Sequence, residues 1–204
     1  MLYIFSSFND ANDDFLKQVM PLLTEERLAK VTRIRDRQGK LLSAAVYLLL
    51  RFALRDEFGI AEAVEFIYGE KGKPELRDHP EIRFNLSHCR NAAACVVSNR
   101  ETGVDIQDIR TVSERVAKRV LTADEFMEFK GAEDPDGYFC RLWAIKECRL
   151  KQTGRGIGVE MSQLPADSVA DIYVHRGDDY FCCVSGAETV IRHISCRELL
   201  SLLP

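Results

Sequence analysis

The chain has 204 residues, enough to bury a full hydrophobic core either in one body or in two half-size units in contact. Hydrophobic residues at 46% and charged residues at 29% exclude the disordered, collagen-like and disulfide-scaffold classes. A net charge of −4 argues against a nucleic-acid binder that works through a global positive field, yet leaves room for a local basic patch that takes a small anion.

The start, MLYIFSSF, reads as a first strand, because it has neither the basic n-region nor the small-residue cleavage site of an export signal. From Thr24 to about Phe58 the pattern predicts one helix, with Thr24 as N-cap, Glu25 and Glu26 in the first turn, and Gly59 as the stop. Its longest apolar run, Leu41 to Leu50, is too short to span a bilayer, so no membrane partner is expected. A strand near Val64 to Tyr68 leads into GEKGKPEL, a glycine-marked turn carrying Lys71 and Lys73. IRFNLSH and AAACVVSN follow as strands, the first alternating Ile82, Phe84 and Leu86 on one face, and TGVDIQDI is a further strand.

The second half opens with a helix from about Val112 to Val120, then a second one that Thr122 and Glu125 start with a capping box. GAEDPDG reads as a loop before a strong helix from about Tyr138 to Gln152, stopped at Gly154. The tail segments DIYVHRG, YFCCVSG and VIRHISC read as strands. AACVVSN in one half and FCCVSGA in the other suggest an internal duplication. Seven cysteines without a C-x-x-C pair read as reduced thiols, hence a cytoplasmic protein.

Four patterns bear on chemistry. Strand alternation puts Asp105 and Gln107 on one face of GVDIQ, which a partly solvated strand would also do. In WAIKECRLK, Trp143, Glu147 and Lys151 recur at helical spacing, so an acid and a lysine can share a site; a surface ion pair worth about 0.3–0.5 kcal/mol is the ordinary alternative. Arg27, Lys30, Arg33, Arg35, Arg37 and Lys40 form a basic cluster that suits an anion, or a solvated helix face. TGRGIG, from Thr153 to Gly158, follows a helix instead of opening one, so it fails as a dinucleotide loop and reads as a helix stop.

Taken in order, GKP, FNLSH, GVDIQ and WAIKECRLKQTGRGI resemble the phosphopantetheinyl transferases of the surfactin-synthetase-activating type, over roughly Thr24 to Gly158. The resemblance implies an α+β fold of two pseudo-twofold-related halves, 1–103 and 104–204, with the active site in the cleft between them. It implies Asp105 and Glu147 as magnesium ligands, with Gln107 standing where the family often has a second acid and serving directly or through water. It also implies Glu147 and Lys151 as catalytic residues, and Lys73, Ser87, His88, Arg27 and Lys30 as coenzyme A contacts. The reaction is then transfer of 4′-phosphopantetheine from coenzyme A to a serine of an apo acyl or peptidyl carrier protein, of the holo-carrier-protein synthase type. A carrier-binding homologue without activity and a magnesium-dependent phosphohydrolase are the alternatives. Because carriers of this class are acidic, the strip Val112, Val116 and Val120 beside Arg115, Lys118 and Arg119 is expected to dock them, with Val112, Arg115, Val116 and Arg119 in contact. Two internal halves point to a working monomer, with no nucleic-acid partner.

Overall fold

A computed structural model describes residues 1–6, 8, 11–69, 72–154, 161–166, 172–187 and 190–203. Lys71 and the 155–158 part of TGRGIG lie outside these residues. Strand β1 (Leu2–Phe5) is followed by a short helix α1 (Asp13–Val19), a 3-10 turn over Met20–Leu22, and helices α2 (Glu25–Arg33) and α3 (Arg37–Phe58). The single helix expected from Thr24 to Phe58 is therefore two. Thr24 caps the first as predicted, but Ile34 turns extended (ψ 130) and Asp36 starts the second by accepting from the Gly39 N–H at 2.7 Å. An aspartate in the middle of a helical pattern had a better use as a cap than as a surface charge. Gly59 ends α3 in the left-handed region at φ 71, as a glycine C-cap does.

A ribbon of β2 (Phe66–Tyr68) and β3 (Pro74–Leu76) brackets Gly72, so the stretch read only as a turn also contains a strand. Strands β4 (Arg83–His88), β5 (Ala93–Ser98) and β6 (Gly103–Asp108) follow, as expected. Helices α4 (Glu114–Val120) and α5 (Ala123–Gly131) come next, the latter with the predicted Thr122/Glu125 capping box. Helix α6 (Pro135–Thr153) starts inside the expected loop, because Asp134 caps it and Pro135 sits in its first turn, where its missing N–H costs nothing. Strands β7 (Ile172–Arg176), β8 (Tyr180–Ser185) and β9 (Ile191–His193) and a last helix α7 (Cys196–Leu200) complete the chain.

The fold is α+β. One sheet runs β4-β5-β1-β9, the other β6-β8-β7. Strand alternation divides the apolar residues among three cores. Tyr3, Phe5, Cys95 and Val97 face α3, whose residues Leu41 to Leu54 are all buried, as a helix apolar on every side must be. Phe181 and Cys183 face α6 together with Phe139, Leu142 and Cys148. Between the sheets, Leu2, Ile4, Ala94 and Val96 meet Val104, Ile106, Cys182 and Val184 in a third core. Each fully buried Leu or Val contributes about 1.5–3 kcal/mol, so this inner layer holds the two helix-on-sheet units together. The last strand crosses back: β9 pairs in parallel with β1, and the Ile194 N–H donates to the Ile4 carbonyl at 2.8 Å. Residues 191–203 thus lie with the first half of the chain.

Candidate active site

The site forms where the edge of β4 abuts the edge of β6. No main-chain ladder joins these strands; two side chains of β4 take its place. The Asn85 amide oxygen accepts from the Val104 N–H at 3.1 Å, and the Ser87 hydroxyl oxygen accepts from the Ile106 N–H at 3.3 Å. Asn85 and Ser87 are two apart, so they share a face of β4 and meet alternate N–H groups of β6. Ser87 then donates its own proton to Asp105 Oδ1 at 2.8 Å.

Helix α6 lies against β6 at unusually short range. A Cβ on Gly103 would stand 2.2 Å from the Cys148 carbonyl oxygen, so only glycine allows the approach. The approach delivers Lys151, whose ammonium donates to Asp105 Oδ1 at 2.6 Å and to Ser87 Oγ at 2.8 Å. The structure thus brings Asp105, Ser87 and Lys151 together from β6, β4 and α6.

Asp105 is only 5% exposed, and its second oxygen, Oδ2, has no hydrogen-bond partner. Burial raises the Asp105 pKa, more than the Lys151 ammonium and the Ser87 hydroxyl lower it. Glu147, one turn before Lys151 and half-buried, also has a raised pKa, from burial first and from the charge on Asp105 second. Two acids that resist ionisation together, one with an unspent oxygen, form an arrangement that a cation relieves. Gln107 is partly exposed two residues along the strand, and its amide nitrogen makes only a long 3.5 Å contact to the Asp108 carbonyl. Among the described residues no three His, Cys, Asp or Glu side chains converge as a metal cluster, so any cation here would rest on two carboxylates, an amide and oxygens from elsewhere.

The basic flank is nearer to this centre than the sequence alone could say. His88, exposed at the end of β4, has its pKa lowered by desolvation first and then by Lys151, with Lys30 and Arg27 adding to the effect. Lys30 is exposed. Arg27 is not: it is 6% exposed, its Nη2 donates to the Ser43 carbonyl at 2.9 Å, and its guanidinium stacks 5.4 Å from the Tyr47 ring and 5.9 Å from that of Phe66. Its Nε is buried without a partner. Arg37 is drawn away from the cluster by Asp13 and by the Ala11 carbonyl. Lys73 reaches the end of α6, donating to Glu101 at 2.8 Å and to the Gln152 carbonyl at 3.0 Å.

The carrier-side strip is only partly at the surface. Arg115, Arg119 and Val116 are exposed, Val116 at 44%, but Val120 is buried and Val112 packs partly against the second core. Met127 on α5, not anticipated, is 70% exposed. Two polar residues with clear structural roles escaped the sequence reading. Asn85 was findable, since it precedes Ser87 by one strand period. Lys146, buried at 2% exposure beside Glu147, gave no signal except its place in WAIKE. A separate cavity of about 690 Å³, lined by Ser6, Asn91, His175, Asp179 and His193 among others, includes none of Asp105, Glu147 or Lys151.

On this α+β frame β6 and α6 bring a buried acid, a half-buried acid and a helix lysine beside a basic flank, and similarity to known proteins gives the class. Residues 101–192, which include Asp105, Glu147 and Lys151, match the 4′-phosphopantetheinyl transferase superfamily. The chain is 31% identical over 157 residues to the 4′-phosphopantetheinyl transferase psf-1 of Bacillus pumilus, covering 74% of this chain and 66% of that protein. It is 30% identical over 171 residues to the 4′-phosphopantetheinyl transferase HetI of a Nostoc species, covering 78% and 72%. It is 26% identical over 155 residues to the 4′-phosphopantetheinyl transferase Sfp of Bacillus subtilis, covering 74% and 67%. The chain belongs to the 4′-phosphopantetheinyl transferase superfamily. It spans about two thirds of the length of the first of these relatives.

Proposed function

We propose that the protein transfers the 4′-phosphopantetheine group of coenzyme A to a serine hydroxyl of an apo acyl or peptidyl carrier protein, releasing adenosine 3′,5′-bisphosphate as a holo-carrier-protein synthase does. The observation that carries this reading is the buried Asp105 carboxylate, with Oδ1 bonded to Lys151 and Ser87 and Oδ2 unpartnered, beside half-buried Glu147. Those two acids, with the Gln107 amide oxygen directly or through a water, are a fitting donor set for magnesium. When bound, magnesium neutralises the charge of the two phosphates of the coenzyme.

The chain's own groups have the following roles. Glu147 takes the proton of the carrier serine, directly or through water, from its place one turn before Lys151 on α6. Lys151, shared in this state with Asp105 and Ser87, stabilises the charge that collects on the departing bisphosphate. His88, Lys30 and Lys73 clasp the phosphates of coenzyme A, with Ser87 aligning the Lys151 ammonium and Arg27 supporting the flank from its aromatic nest. Attack in line with the leaving group needs little more from the protein than this positioning and charge. That β4, β6 and α6 of one chain supply Ser87, Asp105, Glu147 and Lys151 supports a monomer as the working unit, acting on coenzyme A and a carrier without nucleic acid or membrane. Free cysteines suit a reducing, cytoplasmic compartment.

The test is to incubate the protein with magnesium, coenzyme A and several apo carriers and to weigh the carriers by mass spectrometry. A phosphopantetheine increment on the carrier serine is the expected result, lost in a folded Glu147→Ala variant. No increment on any authentic carrier refutes the reading.

A further inference from the structure

The catalytic helix carries a second lysine whose surroundings differ from those of Lys151. The Lys146 side chain is 1% exposed. Its ammonium has three donors and three acceptors to match: the Val120 carbonyl at 2.8 Å, Glu125 Oε2 at 2.5 Å and the Met161 carbonyl at 3.1 Å. Those acceptors come from the end of α4, the start of α5 and the segment beyond α6. Glu125 is equally committed. Its Oε2 also accepts from the Thr122 N–H at 2.8 Å, closing the capping box, and its Oε1 accepts from the Ala166 N–H at 2.7 Å.

A lysine is almost never this buried without a partner of opposite charge, and a buried ion pair is not a cheap way to stabilise a fold. What it supplies is a fixed geometry, because all three donors of the ammonium are committed to acceptors on three separate segments. Lys146 immediately precedes Glu147 on α6, so the position of α4 and α5 is fixed against the turn of helix that holds the base. The exposed faces of those same helices bear Arg115, Val116, Arg119 and Met127.

We infer that Lys146 is a positioning residue: with Glu125 it ties the carrier-facing helices α4 and α5 to the catalytic helix, so that a carrier seated on them finds Glu147 in register. This rests on the transferase reading and adds to it a link between docking and chemistry. Lys146 touches no reacting atom.

The test separates placement from mere stability. Lys146→Met leaves the Glu125 carboxylate half-buried without its cation, and should lower both the melting temperature and kcat. Adding Glu125→Gln removes that stranded charge while keeping a side chain that completes a capping box. The double variant should therefore regain thermal stability. If Lys146 only stabilises the fold, turnover returns with stability. If it positions Glu147, kcat with saturating apo carrier stays down by about tenfold or more, the range expected when a catalytic group is displaced by a fraction of an ångström. Coenzyme A affinity by calorimetry should stay within about twofold, because the phosphate-clasping residues are elsewhere. Hydrogen exchange should quicken at the end of α4 and around Glu147 in the double variant, whatever the substrate. Overturning results are a stable double variant with wild-type kcat, or one in which coenzyme A affinity falls in proportion to kcat. Wild-type turnover is measured in parallel, so failure of the transferase reading shows as inactive wild type and not as an insensitive variant.

Discussion

Gly103→Ala is the sharpest perturbation of the site that touches no reacting group. The new Cβ would stand 2.2 Å from the Cys148 carbonyl oxygen, 2.8 Å from the Gln152 nitrogen and 2.9 Å from the Gln152 Cβ, two of the three being helix backbone that cannot rotate away. Reaching even a tight contact requires β6 and α6 to part by about 1 Å, an overpacking that costs about 1–3 kcal/mol. For a chain of this size that is a fall in melting temperature of about 2–12 °C. The same separation moves Asp105 on β6 away from Glu147 and Lys151 on α6, stretching the 2.6 Å bond between Lys151 and Asp105. A misplacement near 1 Å can cost about a hundredfold in rate, so kcat/KM for carrier modification should fall by about that factor in a protein that is still folded. Circular dichroism with temperature and a mass-based transfer assay read the two effects on one sample. If Gly103→Ala melts as wild type and turns over within about threefold of it, the close contact is not what aligns the site and the reasoning fails.

Three further outcomes follow from the same geometry. Burial raises the Asp105 pKa, so the folded state holds that proton more tightly than the unfolded chain and loses stability as pH rises through the folded pKa; Asp105→Asn should therefore gain in melting temperature relative to wild type from acid to neutral pH while losing transfer activity. Asn85→Ala strands the buried Val104 N–H and should cost about 1–3 kcal/mol by denaturant titration, with faster hydrogen exchange at Val104 and unchanged exchange in α3. Reversing the charge of Arg115 and Arg119 together with Glu should raise the carrier KM and slow association, an effect that salt mimics in the wild type, and leave coenzyme A binding as it was.

The sequence was most readable where a local rule decides the outcome. Thr122 and Glu125, Gly59 and Gly154, and the alternation in IRFNLSH each produced the expected element, because capping, left-handed termini and strand period depend on a few neighbours. Reading failed where two local rules competed. Asp36 broke the long helix because a cap outweighed continuity, and Pro135 began a helix where DPDG also fits a turn. The candidate site residues were proposed from a family pattern, and their individual circumstances could not be read from it. Arg27 and Lys30 look alike in the sequence, yet one is sandwiched between aromatic rings and the other faces solvent, because a helical face is assigned only when α2 meets α3 and β2. The same holds for Val116 and Val120, one exposed and one buried four residues on. Lys146 is the extreme case, a charge that pattern reading assigns to water and that packing places in the core.

The join between β4 and β6 has one more consequence. A sheet held by its main-chain ladder keeps its spacing whatever side chains it carries, so its width is not open to mutation. Here the spacing is set by the lengths of Asn85 and Ser87, each of which replaces a backbone partner of β6. A longer or shorter polar side chain at either position would reset the distance between β4 and the strand that carries Asp105. The spacing of the two sheets along this seam is thus encoded by two side chains, and can drift in evolution without refolding either half.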